Sequence, residues 1–239
     1  MGKVIKNAVV TFLILILGTS TALLVYIHFF TSKDSDLTGV WTADIDVTEQ
    51  AAVTALDWLQ DIEAVSVSMK DMESYMQNLT IQVNLDMEQT ARLEGTFRSG
   101  ILPDSYDACN QAAYEAFASG FRELLGERLR MTGYEGGTEQ EDVEALVVDA
   151  FGMSTVSYLM SYGPKLLPSL EELQAQYDGS GTYEVVEDML VRQFDDGEPY
   201  EAKTEYYIRK DTSLVLSGEA DSAASGSFYS HYPIVFTLK

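Results

Sequence analysis

Few side chains in this sequence have the types and spacing that catalysis or metal binding requires. The 239 residues include two histidines and one cysteine, and His28 lies inside a long apolar run. A Ser-His-Asp arrangement would therefore depend on His231 alone, which stands just before Pro233 at the start of the last predicted strand, as a turn residue would. Neither a G-x-S-x-G nor an H-E-x-x-H sequence occurs. We expect no catalytic residues, no metal site and no cofactor, so the sequence predicts a protein that is not an enzyme.

The single cysteine, Cys109, excludes an internal disulfide and a cysteine-based zinc site. It falls on one apolar stripe of a predicted helix together with Ala113 and Phe117, at the spacing of a buried helix face. The pattern predicts a buried, unreactive thiol.

The charge of the chain is strongly negative, with 15 Lys and Arg against 38 Asp and Glu and a net charge of −23. Lys3, Lys6 and Lys33 precede the first acid, Asp34. Residues 34–239 therefore hold 12 of the 15 cations and all 38 acids, a net charge of −26. A body this acidic repels phosphate backbones and anionic membrane surfaces, so we expect no nucleic-acid partner.

The first 33 residues have the composition of a membrane anchor. Residues 8–30 contain no Asp, Glu, Lys or Arg, and a helix of this length spans a hydrocarbon core of about 30 Å. Lys3 and Lys6 precede the run, which predicts a cytoplasmic N-terminus and an acidic body outside the cell membrane. The lipid bilayer is thus one expected partner, and the expected location is a single-pass protein of the cell membrane.

A cleaved signal peptide is the alternative reading of this segment. Its apolar region is usually about 7–15 residues long and ends at a small-x-small site. The run in this chain is longer and ends in the bulky sequence VYIHFF. We therefore expect a retained anchor in residues 1–33 and one extracytoplasmic domain in residues 34–239.

The outer domain combines short strands with two helical stretches. After the linker TSKDSDLT, Trp41, Ala43 and Ile45 alternate with polar residues, as in a half-buried strand. Helical spacing follows at about 48–77, and the strands LTIQVNLDM and ARLEGTF then lie close enough to form an antiparallel hairpin. Residues 104–176 are again helical, and five more strands follow: GTYEVVE, MLVRQF, TEYYIRK, SLVLSG and YPIVFTL. The pattern predicts an α+β fold, an antiparallel eight-stranded barrel or a strongly curved sheet with a large helical insertion.

Three helix starts are predicted within residues 104–176. Asp104 is the candidate cap of the longest helix. Thr138 with Glu141, and Ser169 with Glu172, have the spacing of capping boxes.

The order of these motifs resembles the calycin superfamily of lipocalins and fatty-acid-binding proteins. The first strand contains Gly39-x-Trp41, eight strands are expected, and the last strand is YPIVFTLK. More closely, residues 37–239 resemble uncharacterised lipocalin-like proteins of the bacterial cell envelope. These begin with G-x-W and a D-x-T turn, as in Asp46-Val47-Thr48, carry a helical insertion, and finish with a G-x-Y strand, as in Gly181-Thr182-Tyr183, and a Pro-hydrophobic strand. The resemblance implies a lipocalin-like β-barrel.

The resemblance also implies a role for Gly39 and Trp41 as markers of the barrel base. In lipocalins the matching Trp packs across the closed end of the barrel, and a basic side chain from the end of the chain stacks on it. Trp41 would then close the base, with Arg209 or Lys239 as the stacking partner.

Two functions remain open at this point. One is the binding of a small apolar or amphipathic molecule inside the barrel or beneath the helices, which predicts an enclosed cavity of about 300–1,000 Å³. The other is a non-enzymatic interaction or structural module with a dry core, which docks another envelope protein through an exposed apolar patch. The residues expected to face the interior, as ligand lining or as core, are Ile45, Ile81, Val83, Leu93, Phe97, Tyr183, Tyr206, Ile208, Leu214 and Phe236.

Overall fold

The computed structural model describes residues 36–60, 69–195, 202–218 and 232–239, and for residues 69 and 70 the backbone only. The apolar run at 8–30 lies outside these ranges, as do His28 and His231. The membrane anchor and its orientation therefore stay predictions.

Eight antiparallel strands form a closed barrel. They are β1 Gly39–Asp46, β2 Thr80–Ala91, β3 Glu94–Ile101, β4 Gly179–Val186, β5 Met189–Phe194, β6 Ala202–Lys210, β7 Ser213–Gly218 and β8 Ile234–Leu238. Each strand pairs with its neighbours in the chain, and β1 pairs with β8 to complete the circle. The predicted eight-stranded antiparallel architecture is confirmed in its closed form, which is compatible with a lipocalin-like fold.

The strands form because apolar and polar residues alternate along them. In β1 the side chains of Trp41, Ala43 and Ile45 are buried, whereas those of Asp44 and Asp46 are exposed. The same alternation runs along β2 and β4. One face of the sheet therefore becomes the interior of the barrel and the other its outer surface.

The two ends of the barrel are built differently. At one end, which we call the base, two-residue turns at 92–93, 187–188 and 211–212 join consecutive strands. Leu93, Glu187 and Asp211 have φ values of 68°, 58° and 52° in these turns, the left-handed conformation that tight hairpins use. The chain also enters β1 and leaves β8 at the base, because the strands alternate in direction. All the longer connections leave from the opposite end, which we call the helical end.

Six helices among the described residues are attached at the helical end. They are α1 Thr48–Gln60, α2 Met69–Tyr75, α3 Pro103–Met131, α4 Gln140–Phe151, α5 Thr155–Tyr162 and α6 Leu170–Tyr177. α3 packs against β2 and α6 against β3. α1 buries an alanine-rich face, and Trp58 at its edge meets Phe117 of α3 edge to face, with the ring centroids 5.8 Å apart. The helices and the barrel share one apolar core.

One predicted helix cap is confirmed and another is wrong. Ser169 and Glu172 form a reciprocal capping box at the start of α6. α3, by contrast, begins at Pro103, and Leu102 occupies the N-cap position without a side-chain hydrogen bond. Proline suits the first helical position because it lacks an N–H and has a fixed φ. Asp104 therefore lies inside the first turn and is not the cap.

The capping box of α4 lies one residue later than predicted. Glu139 and Asp142 form it, and the predicted pair of Thr138 and Glu141 does not. Two pairs at the same spacing overlap in this acidic stretch, and spacing alone cannot distinguish them.

No single helix among the described residues combines the length and the apolar content needed to cross a bilayer. α4 and α5 reach that threshold only when they are counted together, and they meet at a bend of 54°.

The half of the barrel next to the base is packed solid. Trp41, Leu85, Met87, Leu190 and Leu214 all have an accessible surface of 0%. A water-sized void beside these side chains would itself appear as accessible surface. They therefore form a close-packed core and not the wall of a cavity.

Candidate functional site

Trp41 closes the base of the barrel. Its side chain is fully buried, and its Nε1 donates a hydrogen bond to the carbonyl oxygen of Leu37 at 2.8 Å. Gly39 has a φ of +141°, and a Cβ at this position would lie 2.4 Å from Cδ1 of Leu238. Glycine is therefore required where the first and last strands meet.

The base also holds one of the two basic residues that the resemblance implies. The guanidinium carbon of Arg209 lies 5.6 Å from the ring centroid of Trp41, within cation–π range. Nη1 of Arg209 also donates to the carbonyl oxygen of Asp36. Lys239 contacts β1 through its backbone N–H, which donates to the carbonyl oxygen of Val40 at 2.9 Å, and its side chain is exposed. The structure thus places Arg209, and not Lys239, on the tryptophan.

Most of the residues expected to face the interior are buried in it. Those with at most 5% of their surface exposed are Ile45, Ile81, Val83, Phe97, Tyr183, Leu214 and Phe236. Leu93 belongs to the turn between β2 and β3 and packs against the core while half-buried.

The interior assignment of Tyr206 and Ile208 is wrong. Their side chains are 42% and 63% exposed, on the outer surface of β6. The inward positions of this strand belong to Lys203, Glu205, Tyr207 and Arg209. Alternation predicts an apolar inner face, but three of these four inward side chains are charged. A shift of one residue exchanges the two faces of a strand.

Two of the inward charges of β6, Lys203 and Glu205, belong to a polar cluster inside the barrel, toward the helical end. We call it the rim cluster; it consists of Arg192 of β5, Lys203 and Glu205 of β6, and Tyr232 just before β8. Glu205 accepts two hydrogen bonds from Arg192, from Nε at 2.6 Å and from Nη2 at 2.8 Å. The side chains of Arg192 and Glu205 are 5% and 1% exposed. This is a buried, bidentate ion pair.

Tyr232 and Lys203 also contact the carboxylate of Glu205. The hydroxyl of Tyr232 donates to its Oε1, and Nζ of Lys203 lies 3.5 Å from the same oxygen. Nζ of Lys203 also lies 5.4 Å from the ring centroid of Tyr232. The side chain of Lys203 is 13% exposed, the most accessible of the three charged groups.

Aromatic rings flank the guanidinium of Arg192. Its carbon atom lies 5.1 Å from the ring centroid of Phe97 and 5.5 Å from that of Phe194. The two rings meet edge to face with their centroids 5.1 Å apart. The packing fixes the orientation of the guanidinium and excludes water from the ion pair.

Burial and the neighbouring charges shift the pKa of two members of the rim cluster. Burial is the largest cause for Lys203; Glu205 opposes it and Arg192 adds to it, and the net result is a pKa lowered to about 7. Burial works to raise the pKa of Glu205, but Arg192 and Lys203 outweigh it and hold that pKa below its usual range. Among the described residues of the cluster, below about pH 7, two cations face one carboxylate in a domain that is otherwise strongly acidic.

A cavity lies at the seam between the first and last strands. The pairing of β1 and β8 extends only from Trp41–Leu238 to Thr42–Thr237. Beyond it, toward the helical end, lies a cavity of about 240 Å³, which we call the seam slit; it is lined by Asp44, Ile45, Asp46, Pro233, Ile234 and Val235. Tyr232 of the rim cluster immediately precedes Pro233 of the slit in the chain, and no member of the cluster is among the described lining residues.

A larger groove of about 940 Å³ lies outside the barrel, between the start of α1, the end of α2 and α6. Asp46, Glu49 and Glu73 line it, and none of its described lining residues is a Lys or Arg. An anion would be repelled there, and no member of the rim cluster belongs to its described walls.

Cys109 is buried in α3 at 5% exposure. Burial raises the pKa of its thiol to about 11, so little reactive thiolate exists near neutral pH. Within the part of the chain that the structure describes, no group of three His, Cys, Asp or Glu side chains is arranged to hold a metal ion.

Sequence reasoning missed the rim cluster, although a signal was present. β5 and β6 each carry charged residues in the middle of the strand. The sequence pattern does not distinguish charged side chains that face solvent from charged side chains that face a polar interior. The register pairs Arg192 with Lys203, so both side chains share one face of the sheet, and their burial shows that this face is the interior.

No protein-family model, no curated protein and no solved structure matches this chain.

Proposed function

We propose that this protein is a non-enzymatic, lipocalin-like domain that binds a small amphipathic molecule with an anionic head group at the rim cluster. One observation carries the proposal: inside the barrel, the described part of the chain places Arg192 and Lys203 against the carboxylate of Glu205, and Tyr232 links this cluster to the chain segment that lines the seam slit. The closed barrel and the Trp41–Arg209 pair at its base support the lipocalin-like assignment.

Lys203 is the residue that favours a ligand over a purely structural role. Arg192 and Tyr232 donate three hydrogen bonds to Glu205, so this carboxylate keeps those bonds if Lys203 also contacts a ligand. A partly buried ammonium is costly when it has lost most of its hydration. An anionic head group would offset that cost through a charge-assisted hydrogen bond. Lys203 is also the most accessible cation of the cluster.

The surrounding surfaces favour a short apolar part. Ile45, Ile234 and Val235 line the seam slit together with the acids Asp44 and Asp46, so the slit would take the apolar part of the ligand and not its anionic head group. Its volume of about 240 Å³ is below that of typical sites for drug-sized ligands. The solid core at the base leaves no path further down the barrel.

Calorimetric titration with three eight-carbon amphiphiles tests this function. The full chain is held in zwitterionic nanodiscs, and empty nanodiscs give the background. Octanoate should bind about tenfold or more tightly than octanol, since a hydrogen bond to a charged group contributes about 1.5–3 kcal/mol. Octylamine should bind most weakly. Equal affinities for the three would exclude an anion site, and no binding of any would exclude the ligand function.

The anchor in residues 8–30 belongs to the same proposal. An uncharged run of this length, preceded by Lys3 and Lys6, supports a single-pass protein of the cell membrane with its domain outside. Such a protein should stay in the membrane pellet after alkaline carbonate extraction, and added protease should digest its domain in spheroplasts. Release into the supernatant would indicate cleavage of the segment.

A further inference from the structure

A row of aromatic rings lies on α4 and α5, away from the rim cluster; its two end rings are exposed, and its central ring is half-buried against the core. We call it the aromatic ladder; it consists of Phe151, Tyr158 and Tyr162, with Val148 one turn before Phe151. The ring centroids of Phe151 and Tyr158 are 4.6 Å apart, and those of Tyr158 and Tyr162 are 5.4 Å apart. Val148, Phe151 and Tyr162 are 44%, 53% and 65% exposed.

The helices that carry the ladder are held firmly on the molecule. Val143 and Val147 form the buried face of α4. Glu144 pairs with Arg122 of α3 at 3.0 Å and accepts a hydrogen bond from the Thr155 hydroxyl at 2.6 Å. These bonds join α4 to both α3 and α5. The ladder is therefore a preorganised surface.

Exposed aromatic side chains in a contiguous row are typical of interaction surfaces. Tyrosine and other aromatic residues dominate the energetic centres of protein interfaces, and contiguous apolar patches are uncommon on monomers unless they bind something. The same helices bury other residues, Val143 and Val147 of α4 and Leu159 of α5, so the exposed rings lie on a different face.

The charges around the ladder restrict what can cover it. Residues 139–163 contain five acids and no Lys or Arg. A second copy of the chain would bring the same acids into contact, within domains that each carry a net charge of −26. Anionic lipid is disfavoured for the same reason. A partner with basic residues around an apolar centre is complementary.

We propose that the aromatic ladder docks a basic amphipathic helix of a partner protein, with the apolar stripe of that helix on the rings and its basic residues against the acids of α4. This is the helix-on-apolar-surface mode of recognition. It is independent of ligand binding at the rim cluster, which lies on other elements.

The probe is a fluorescein-labelled peptide of leucine and lysine in helical amphipathic order, on the order of 14 residues or four turns long. Its anisotropy is measured with the full chain in zwitterionic nanodiscs. The test variant is Phe151→Ser with Tyr162→Ser. The control is Tyr206→Ser with Ile208→Ser, which removes an aromatic and an apolar side chain, 42% and 63% exposed, from the outer surface of β6 and away from the seam slit.

We expect the ladder variant to bind the peptide about tenfold more weakly, because aromatic residues at the centre of an interface each contribute strongly. The control should bind like the wild type, and a leucine–glutamate peptide should not bind. If the ladder variant and the control variant bound the peptide with equal affinity, the peptide would be attracted only by the net negative charge of the domain. That result would overturn the proposal. Ladder-dependent dimerisation in sedimentation, or ladder-dependent binding to empty vesicles, would overturn it as well. If the double variant is misfolded by circular dichroism, Tyr162→Ser alone replaces it, with Ile208→Ser as its control.

Discussion

In the function that we propose, stability and ligand binding oppose one another at Lys203. Its ordinary pKa of 10.5 falls to about 7 in the folded protein because burial disfavours the ammonium. Between these values the unfolded chain binds a proton at this position and the folded chain does not. The contribution of Lys203 to stability therefore rises with pH across this window, and its full cost is present below about pH 7.

Lys203→Met should consequently stabilise the protein without ligand. The gain should be largest near about pH 6 and shrink toward about pH 9, because the substitution removes a buried ammonium that exists only at the lower pH. Urea unfolding at the two pH values measures it. Lys210→Met is the matched control, since Lys210 is an exposed lysine on the same strand. A destabilised Lys203→Met variant would show that Lys203 is a structural partner of Glu205.

Trp41 acts on stability alone. Trp41→Ala should cost about 3–5 kcal/mol, because it removes a fully buried aromatic side chain and leaves a cavity at the base. The free energy of unfolding from urea titration checks this value. Arg209→Met should cost about 1 kcal/mol, in keeping with one cation–π contact at a partly accessible site. Unfolding of Trp41→Ala at the wild-type urea concentration would show that the ring does not close the barrel.

Substitutions at the starts of α6 and α4 should change stability by different amounts. Ser169 accepts a hydrogen bond from the Glu172 N–H and its own N–H donates to the Glu172 carboxylate at 2.7 Å. Ser169→Ala should therefore cost about 0.5–2 kcal/mol. Thr138→Ala should change stability by no more than a few tenths of a kcal/mol, since Glu139 caps α4. The free energies of unfolding of the two variants, measured against the wild type, test this difference. Equal losses of stability in the two variants would contradict the assignment of the caps.

Much of the element order follows from local sequence. The alternation in MLVRQF and SLVLSG predicts β5 and β7 with the bounds that the structure has. Closure of the barrel is different, because it depends on the pairing of β1 with β8, which are almost the whole domain apart in the chain. Strand tilt and stagger decide that pairing, and neither is written in any local pattern.

The candidate site shows a similar limit. The base could be expected from Gly39, Trp41 and a nearby cation. The rim cluster could not, because alternation assigns apolar residues to the interior and β6 reverses that rule. Sequence patterns are expected to fail where polar groups are buried for a purpose other than stability.

The chain entry to the barrel and the two proposed binding surfaces lie toward opposite ends of the molecule. Asp36 stands at the base, where the chain enters the barrel, whereas the rim cluster lies toward the helical end and the aromatic ladder belongs to helices attached there. With the anchor that we propose, the base would face the membrane and the rim cluster would face away from it. A ligand could then be exchanged with the surroundings of the cell without crossing the barrel core.

Native mass spectrometry of the full chain, released from nanodiscs after production in a bacterial host, tests the central claim most directly. The account predicts a co-purified anionic amphiphile on the wild type and on Lys210→Met, and its loss from Lys203→Met, because only Lys203 belongs to the rim cluster. Equal occupancy of the three proteins, or a wild type that carries no ligand and takes up no added octanoate, would contradict it.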